Sequence, residues 1–282
     1  MIKIKARAKI NLTMDVLGKR SDGFHEVESV MQAVSLSDEI SLELLPGGRL
    51  EFYCSDPLLN NKDNLAYRAA ALLGDVYPGK GARISLEKKI PMAAGLGGGS
   101  SDAAAVLKGL NLLWGLELPG EKLLELAALL GSDVPFCLWG KTALAEGRGE
   151  RLKFLPRAPH FYVLLAVPPD LAIPTASVYG GLVLQKIRKR PKTKDFLRFF
   201  YEKKIDEMAA CMANVLEEVV FPRYPAVDEL KRMMKKYAPC ALMSGSGPSV
   251  FGLFLEKKRA LLAEGQLARE GYRTYLADTC PS

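Results

Sequence analysis

Pro91-Met92-Ala93-Ala94-Gly95-Leu96-Gly97-Gly98-Gly99-Ser100-Ser101-Asp102-Ala103-Ala104-Ala105 is the stretch on which the reading of this chain turns. Four of the five residues 95–99 are glycine, so the backbone can approach a ligand closely and take positive φ. The alanines that follow favour helix and predict one from about Ser101 to Trp114, with its N-terminus against the loop. The unpaired N–H groups and roughly half a positive charge at such a terminus attract anions. Ser100 and Ser101 add hydroxyls, and a triphosphate suits so many donors. Taken alone, a glycine run is equally a tight turn or a connector. Other glycine motifs do not fit. A dinucleotide-binding pattern starting at Gly95 needs glycine where Ser100 stands. Gly140-Lys141-Thr142 ends like a P-loop whose first glycine would fall on Pro135, and there is no Gly-x-Ser-x-Gly elbow.

Around this loop, composition sets the frame. The chain has 282 residues, 49% hydrophobic and 25% charged, enough for two domains or one large one. This excludes a disordered or fibrous chain, and no apolar run approaches the ~18 residues of a membrane span. Met1 leads straight into the alternating Ile2-Lys3-Ile4-Lys5, so neither a leader peptide nor a membrane association is expected. Lys and Arg number 39 against 32 acidic residues, a net +7 that fits anionic partners: nucleic acid, a membrane surface or phosphorylated small molecules. The five cysteines are odd in number and form no CxxC pair, which predicts a reduced, cytoplasmic setting. With only His25 and His160 beside them, no structural zinc site is expected.

Strand signals dominate the first ninety residues. Lys9–Leu17 alternates, and Ser41–Leu44 and Leu50–Tyr53 flank the hairpin-like breaker Pro46-Gly47-Gly48. Asn64 is placed to cap a helix, and Arg83–Glu87 alternates as a strand. A helix from Glu121 to Leu130 ends at Gly131, and 161–167 is a buried strand. Helical patterns run over 195–219, 224–237 and 257–271, with short strands at 241–243, 250–254 and 273–277. The mixture is α+β, with a boundary near 150–160.

Pro-x-x-x-Gly-Leu-Gly-Gly-Gly-Ser-Ser resembles the phosphate loop of the GHMP kinases, and further motifs extend the likeness from residue 6 to 252. The resemblance implies a ribosomal-protein-S5-domain-2-like N-terminal domain over 1–155 and a ferredoxin-like C-terminal domain over 156–282. It implies ATP and Mg²⁺, with the nucleotide held by Pro91, Met92, Ala93, Ala94, Gly95, Leu96, Gly97, Gly98, Gly99, Ser100 and Ser101, and Asn64 near the adenine. Ala8-Lys9-Ile10-Asn11-Leu12 is similar to the family's first motif. By itself Lys9 reads as a solvent-facing strand lysine, though alternation puts it on one face with Asn11. Gly131-Ser132-Asp133-Val134-Pro135-Phe136 resembles the segment that carries the family's general base. Read locally, Ser132 or Asp133 is a helix N-cap. The resemblance makes Asp133 the base and Lys9 its catalytic neighbour.

The substrate side follows the same likeness. Asp22-Gly23-Phe24-His25-Glu26 and Ile173-Pro174-Thr175-Ala176-Ser177-Val178-Tyr179 resemble the cytosine-binding segments of one branch. That branch phosphorylates the 2-hydroxyl of 4-diphosphocytidyl-2-C-methyl-D-erythritol on the methylerythritol phosphate route to isoprenoids. Asn11, Phe24, His25, Thr175 and Tyr179 are then the substrate residues, with the base between Phe24 and Tyr179. Locally, His25 and Tyr179 read as structural residues and Thr175 as a cap. Met243-Ser244-Gly245-Ser246-Gly247-Pro248-Ser249 matches the third motif, or a simple turn. The basic run Lys186–Lys194 has no interleaved aromatics and reads as a solvated loop. A small-molecule kinase, a non-catalytic nucleotide-binding regulator and a nucleic-acid-binding protein are the functions compared, and the first is the expectation. Its partners are ATP and the diphosphocytidyl substrate, without nucleic acid.

Overall fold

The computed structural model describes residues 1–280. In chain order the strands and helices are β1 Ile2–Asn11, β2 Asp15–Lys19, β3 His25–Leu45, β4 Leu50–Cys54, α1 Leu65–Val76, β5 Gly81–Glu87, α2 Gly98–Leu113, α3 Gly120–Leu130, α4 Val134–Trp139, β6 Thr142–Glu146, β7 Arg151–Phe154 and β8 Tyr162–Val167. They continue as α5 Thr175–Gly180, α6 Thr193–Glu202, α7 Ile205–Cys211, α8 Glu217–Arg223, α9 Pro225–Lys235, β9 Ala241–Met243, β10 Val250–Phe254, α10 Lys257–Arg269 and β11 Arg273–Asp278.

Packing divides the described residues into two units: residues 1–8, 37–91 and 97–140 form the first, and 9–36, 92–96 and 141–280 the second.

In the first unit, β5 pairs antiparallel with the second half of β3 and parallel with β4. This corrects the hairpin expected between 41–44 and 50–53, because β5 lies between those strands. The alanines that favoured helix in α2 also suit close packing. Ala103, Ala104 and Val106 share a core with Ala66, Ala69 and Ala70 of α1 and with Ile40, Leu42 and Ile84 of the sheet. The helix begins at Gly98, three residues before its predicted start, because Gly97 takes the N-cap position with φ +67°.

In the second unit, the first half of β3 pairs with β2 and β6, and β6 with β7. A separate antiparallel sheet runs β11-β8-β10-β9. Its core joins Leu164, Val250 and Phe254 to Val227, Leu230 and Met234 of α9, to Ala260 and Ala263 of α10, and to Met14, Val16 and Val27. The helix predicted over 195–219 is broken into α6, α7 and the start of α8. Lys203 turns left-handed at φ +56°, and Met212–Asn214 run outside any helix. Phe196, Phe200, Met208 and Val215 of this run are buried, with Phe196 and Phe200 stacked at 5.6 Å.

Candidate active site

The glycine-rich loop is built from both of its flanks. Within the second unit its middle is fixed by backbone polar groups. The Leu96 carbonyl accepts from the Lys9 N–H (2.9 Å) and the Ala94 carbonyl from the Ser249 N–H (3.3 Å). The Gly95 carbonyl accepts from Ser244 Oγ at 3.0 Å. Gly95 has φ +74°, and a Cβ there would lie 2.1 Å from the Ser244 carbonyl oxygen. The third motif thus packs directly on the first loop, more than a simple turn would require. Its Gly247–Pro248 bond is cis.

Lys9 is only 4% exposed, which corrects the solvent-facing reading. Its Nζ donates to Asn11 Oδ1 (2.8 Å), Asn11 Nδ2 donates to Ser29 Oγ (2.8 Å), and Ser29 Oγ donates to the Thr13 carbonyl (2.6 Å). One face of a strand therefore carries an oriented ammonium. Both ends of the Asn11 amide are committed to this chain, so Asn11 orients Lys9 as well as lining the site. A Cβ on Gly245 would sit 3.4 Å from Lys9 Nζ, which puts the third motif beside the same ammonium.

Further along the second unit, the His25 and Tyr179 rings meet at 5.3 Å between centroids. Burial, helped by the Lys19 charge, holds the His25 pKa below the ordinary histidine value, so its ring is neutral near pH 7. Phe24 is half exposed, with the Arg148 guanidinium 4.8 Å above its ring. The Phe24 N–H is held by Asp22 Oδ1 (3.1 Å), an Asx-type turn. Thr175 does not cap α5 with its side chain; its Oγ1 is 2.9 Å from Ser246 Oγ, tying the helix start to the third motif.

In the first unit, Asn64 caps α1 as predicted: Oδ1 accepts from the Ala66 N–H (2.9 Å), and Nδ2 donates to the Leu59 carbonyl (3.0 Å). The loop's C-terminal stem enters α2, whose first intrahelical bond runs from the Ser101 N–H to the Gly97 carbonyl. The N–H groups of Gly98, Gly99 and Ser100 precede that bond and are the donors an anion would meet. Ser101 is buried and donates its hydroxyl to the Arg7 carbonyl (2.7 Å), which anchors α2. Ser100 remains partly exposed. Asp133 sits at the N-cap position of α4 without a side-chain capping bond, so the capping explanation for this carboxylate fails. Pro135 occupies one of the first positions of α4, where its missing N–H costs nothing.

Sequence reasoning missed Asn214. It is buried, and its Nδ2 donates to the carbonyls of both Met243 and Gly245 at 2.8 Å, while its Oδ1 accepts from the Leu216 N–H (3.0 Å). A polar residue inside a supposed helical run was the available signal. The basic residues of 186–194 are exposed, as a solvated loop predicts, and two of them are also paired. Arg190 bonds Asp15 and the Val16 carbonyl, and Arg188 pairs with Glu218 at 2.9 Å.

The chain matches the GHMP kinases N terminal domain over residues 64–141 and the GHMP kinases C terminal domain over 196–273. It is 42% identical to 4-diphosphocytidyl-2-C-methyl-D-erythritol kinase of Clostridioides difficile (strain 630), covering 99% of this chain and 95% of that one. It is 47% identical to the same-named protein of Bacillus subtilis (strain 168), over 88% and 86% of the two chains. A crystal structure of 4-(cytidine 5'-diphospho)-2C-methyl-D-erythritol kinase superposes with a TM-score of 0.85 at 36% identity, covering 98% of both chains. The chain belongs to the GHMP kinases, in the 4-diphosphocytidyl-2-C-methyl-D-erythritol kinase family.

Proposed function

We propose that this chain transfers the γ-phosphoryl group of ATP to the 2-hydroxyl of 4-diphosphocytidyl-2-C-methyl-D-erythritol, on the methylerythritol phosphate route to isoprenoids. The observation that carries the reading is the near-full-length likeness to relatives of that name, joined to a buried Lys9 aimed by Asn11 beside the third motif. Residues Pro91–Ser101 receive the phosphates, chiefly through the first N–H groups of α2, and Asn64 stands near the adenine. Asp133 removes the proton from the attacking hydroxyl, that oxygen bonds to the γ-phosphorus, and ADP leaves. Lys9 stabilises the attacking oxygen or the transferring group. The cytosine lies against Phe24 and Tyr179, with His25 reading an edge. Thr175 and Asn11 complete the substrate side.

Among the described residues no group of three His, Cys, Asp or Glu is placed to hold a metal. Ser100, partly exposed at the start of α2, would be the residue to hold a magnesium ion brought with the nucleotide. When bound, that ion neutralises phosphate charge. No helix among the described residues is long and apolar enough to cross a membrane. A cytoplasmic setting and the absence of a nucleic-acid partner belong to the same proposal.

The test is ADP release by the purified protein with ATP and this alcohol, beside homoserine and mevalonate. Turnover confined to the diphosphocytidyl alcohol is expected. Turnover with another alcohol moves the chain elsewhere in the family, and ATP binding without transfer makes it a regulator.

A further inference from the structure

Both stems of the glycine-rich loop end on one buried ion cluster that the reaction does not use. Lys88 follows β5, three residues before Pro91. Its Nζ donates to Asp38 Oδ2 (2.5 Å) and to Asp102 Oδ2 (2.8 Å). Asp38, on β3, accepts the backbone N–H groups of Lys89 (2.5 Å) and Ile90 (2.8 Å) through its other oxygen. Asp102 lies in the second turn of α2, on the far side of the loop. The carboxylates are 0% and 1% exposed. The stems also touch: a Cβ on Gly98 would lie 3.1 Å from Ile90 Cγ2 and 3.4 Å from Lys88 Nζ.

We propose that Lys88 is a positioning residue for nucleotide binding, an ammonium clamp that closes the base of the phosphate loop by joining its entry strand to its exit helix through Asp38 and Asp102. The inference rests on the kinase reading of the loop. A glycine-rich segment is entropically costly to order, and backbone donors bind phosphate well only when they are already aimed. Hydrophobic contacts alone would let the two stems slide. A buried ion pair contributes little net stability but specifies one geometry, and breaking it from one side leaves an uncompensated charge. One ammonium serves two carboxylates. Asp38 is further satisfied by two backbone N–H groups, whereas Asp102 Oδ1 has no hydrogen-bond partner. Asp102 is thus the arm of the clamp held by Lys88, and its remaining oxygen is isolated from water. Burial works against the Lys88 charge, and Asp102 and Asp38 outweigh it, keeping the ammonium protonated.

Lys88→Met keeps the stem's length and removes the charge, Asp102→Asn keeps the shape of the other arm, and Lys88→Arg keeps the cation. Backbone hydrogen exchange is measured on the full-length protein without nucleotide, and binding of a non-hydrolysable ATP analogue by calorimetry. The expected result for Lys88→Met and Asp102→Asn is exchange at 92–100 faster by about tenfold or more, with β8 and β10 unchanged, and analogue affinity weaker by a similar factor. In turnover the KM for ATP rises about tenfold while kcat falls less than threefold, and Lys88→Arg restores most of the difference. Exchange at 92–100 equal to wild type, or a loss confined to kcat, overturns the clamp. If Lys88→Met does not fold, Asp102→Asn and Lys88→Arg decide by the same readouts. Failure of the wild-type protein to bind the analogue would overturn the kinase reading, whereas the exchange result judges the clamp on its own.

Discussion

Lys9 Nζ lies 2.8 Å from Asn11 Oδ1, two residues along one face of β1, and this contact is held from behind by Ser29. Ser29→Ala removes the acceptor of Asn11 Nδ2 and lets the amide turn. The expected outcome is a kcat lower by about tenfold, equivalent to about 1.4 kcal/mol of transition-state stabilisation, with the KM for ATP little changed. Steady-state kinetics checks it; a wild-type kcat would show that Lys9 is aimed without the relay.

Asp133→Asn keeps the side chain's size and removes its basicity. Circular dichroism checks that the variant is folded. Activity should fall by roughly 10²–10⁴, the range of a general base. An active, folded variant would sink the assignment.

Gly95→Ala places a methyl group where the Ser244 carbonyl stands, at a positive φ. The loop and the third motif must then separate, breaking the Gly95–Ser244 bond. Thermal unfolding should begin several degrees lower, and turnover should be lost. Normal melting with normal activity would mean that this close approach is dispensable.

Burial is the largest influence on Asp102 and pushes its carboxyl up from 3.8 to about 7, against the opposing pull of Lys88. Asp38 and Lys88 face it, and the Cys54 thiol lies within electrostatic reach. A folded-state pKa above the unfolded one means that the folded chain binds the extra proton. The resulting stability is full below about pH 4 and is lost as pH rises through about 7. Melting temperatures from pH 6 to 8.5 should decline, and Asp102→Asn should flatten part of that decline. An identical slope in both proteins would refute this ionisation.

Tyr179→Ala removes the ring that meets His25. Base–aromatic stacking is worth about 1–3 kcal/mol, so the KM for the diphosphocytidyl alcohol should rise about tenfold or more while that for ATP holds. Proton NMR should find His25 titrating below ordinary histidine, in keeping with its burial. A normal midpoint would place its ring in solvent.

What could be read from the chain was local or motif-borne. Asn64 as a cap, Gly131 as a helix end and the shared face of Lys9 and Asn11 depend on residues within a turn or a strand of each other. The pairing of β3 with β5 rather than β4 depends on a strand thirty residues on, which no breaker signal encodes. The 195–219 run has helical periodicity throughout, yet Asn214 leaves the helix because two carbonyls of the third motif offer its amide a better arrangement. Lys88, Asp38 and Asp102 look like surface charges in a sequence, because the ion cluster that buries them forms only once three elements meet. Arg190 was lost in a basic run for the same reason: its partner Asp15 is 175 residues away.

Met14, Val16 and Val27 belong to the same core as Leu164, Val250 and Leu230. A gene fragment encoding only residues 156–282 would therefore emerge from the ribosome with an apolar face and no partner for it. The core of the last segment therefore waits on residues from the first thirty. Cutting the chain at residue 155 would part Met14, Val16 and Val27 from that core and leave apolar surface uncovered on both pieces.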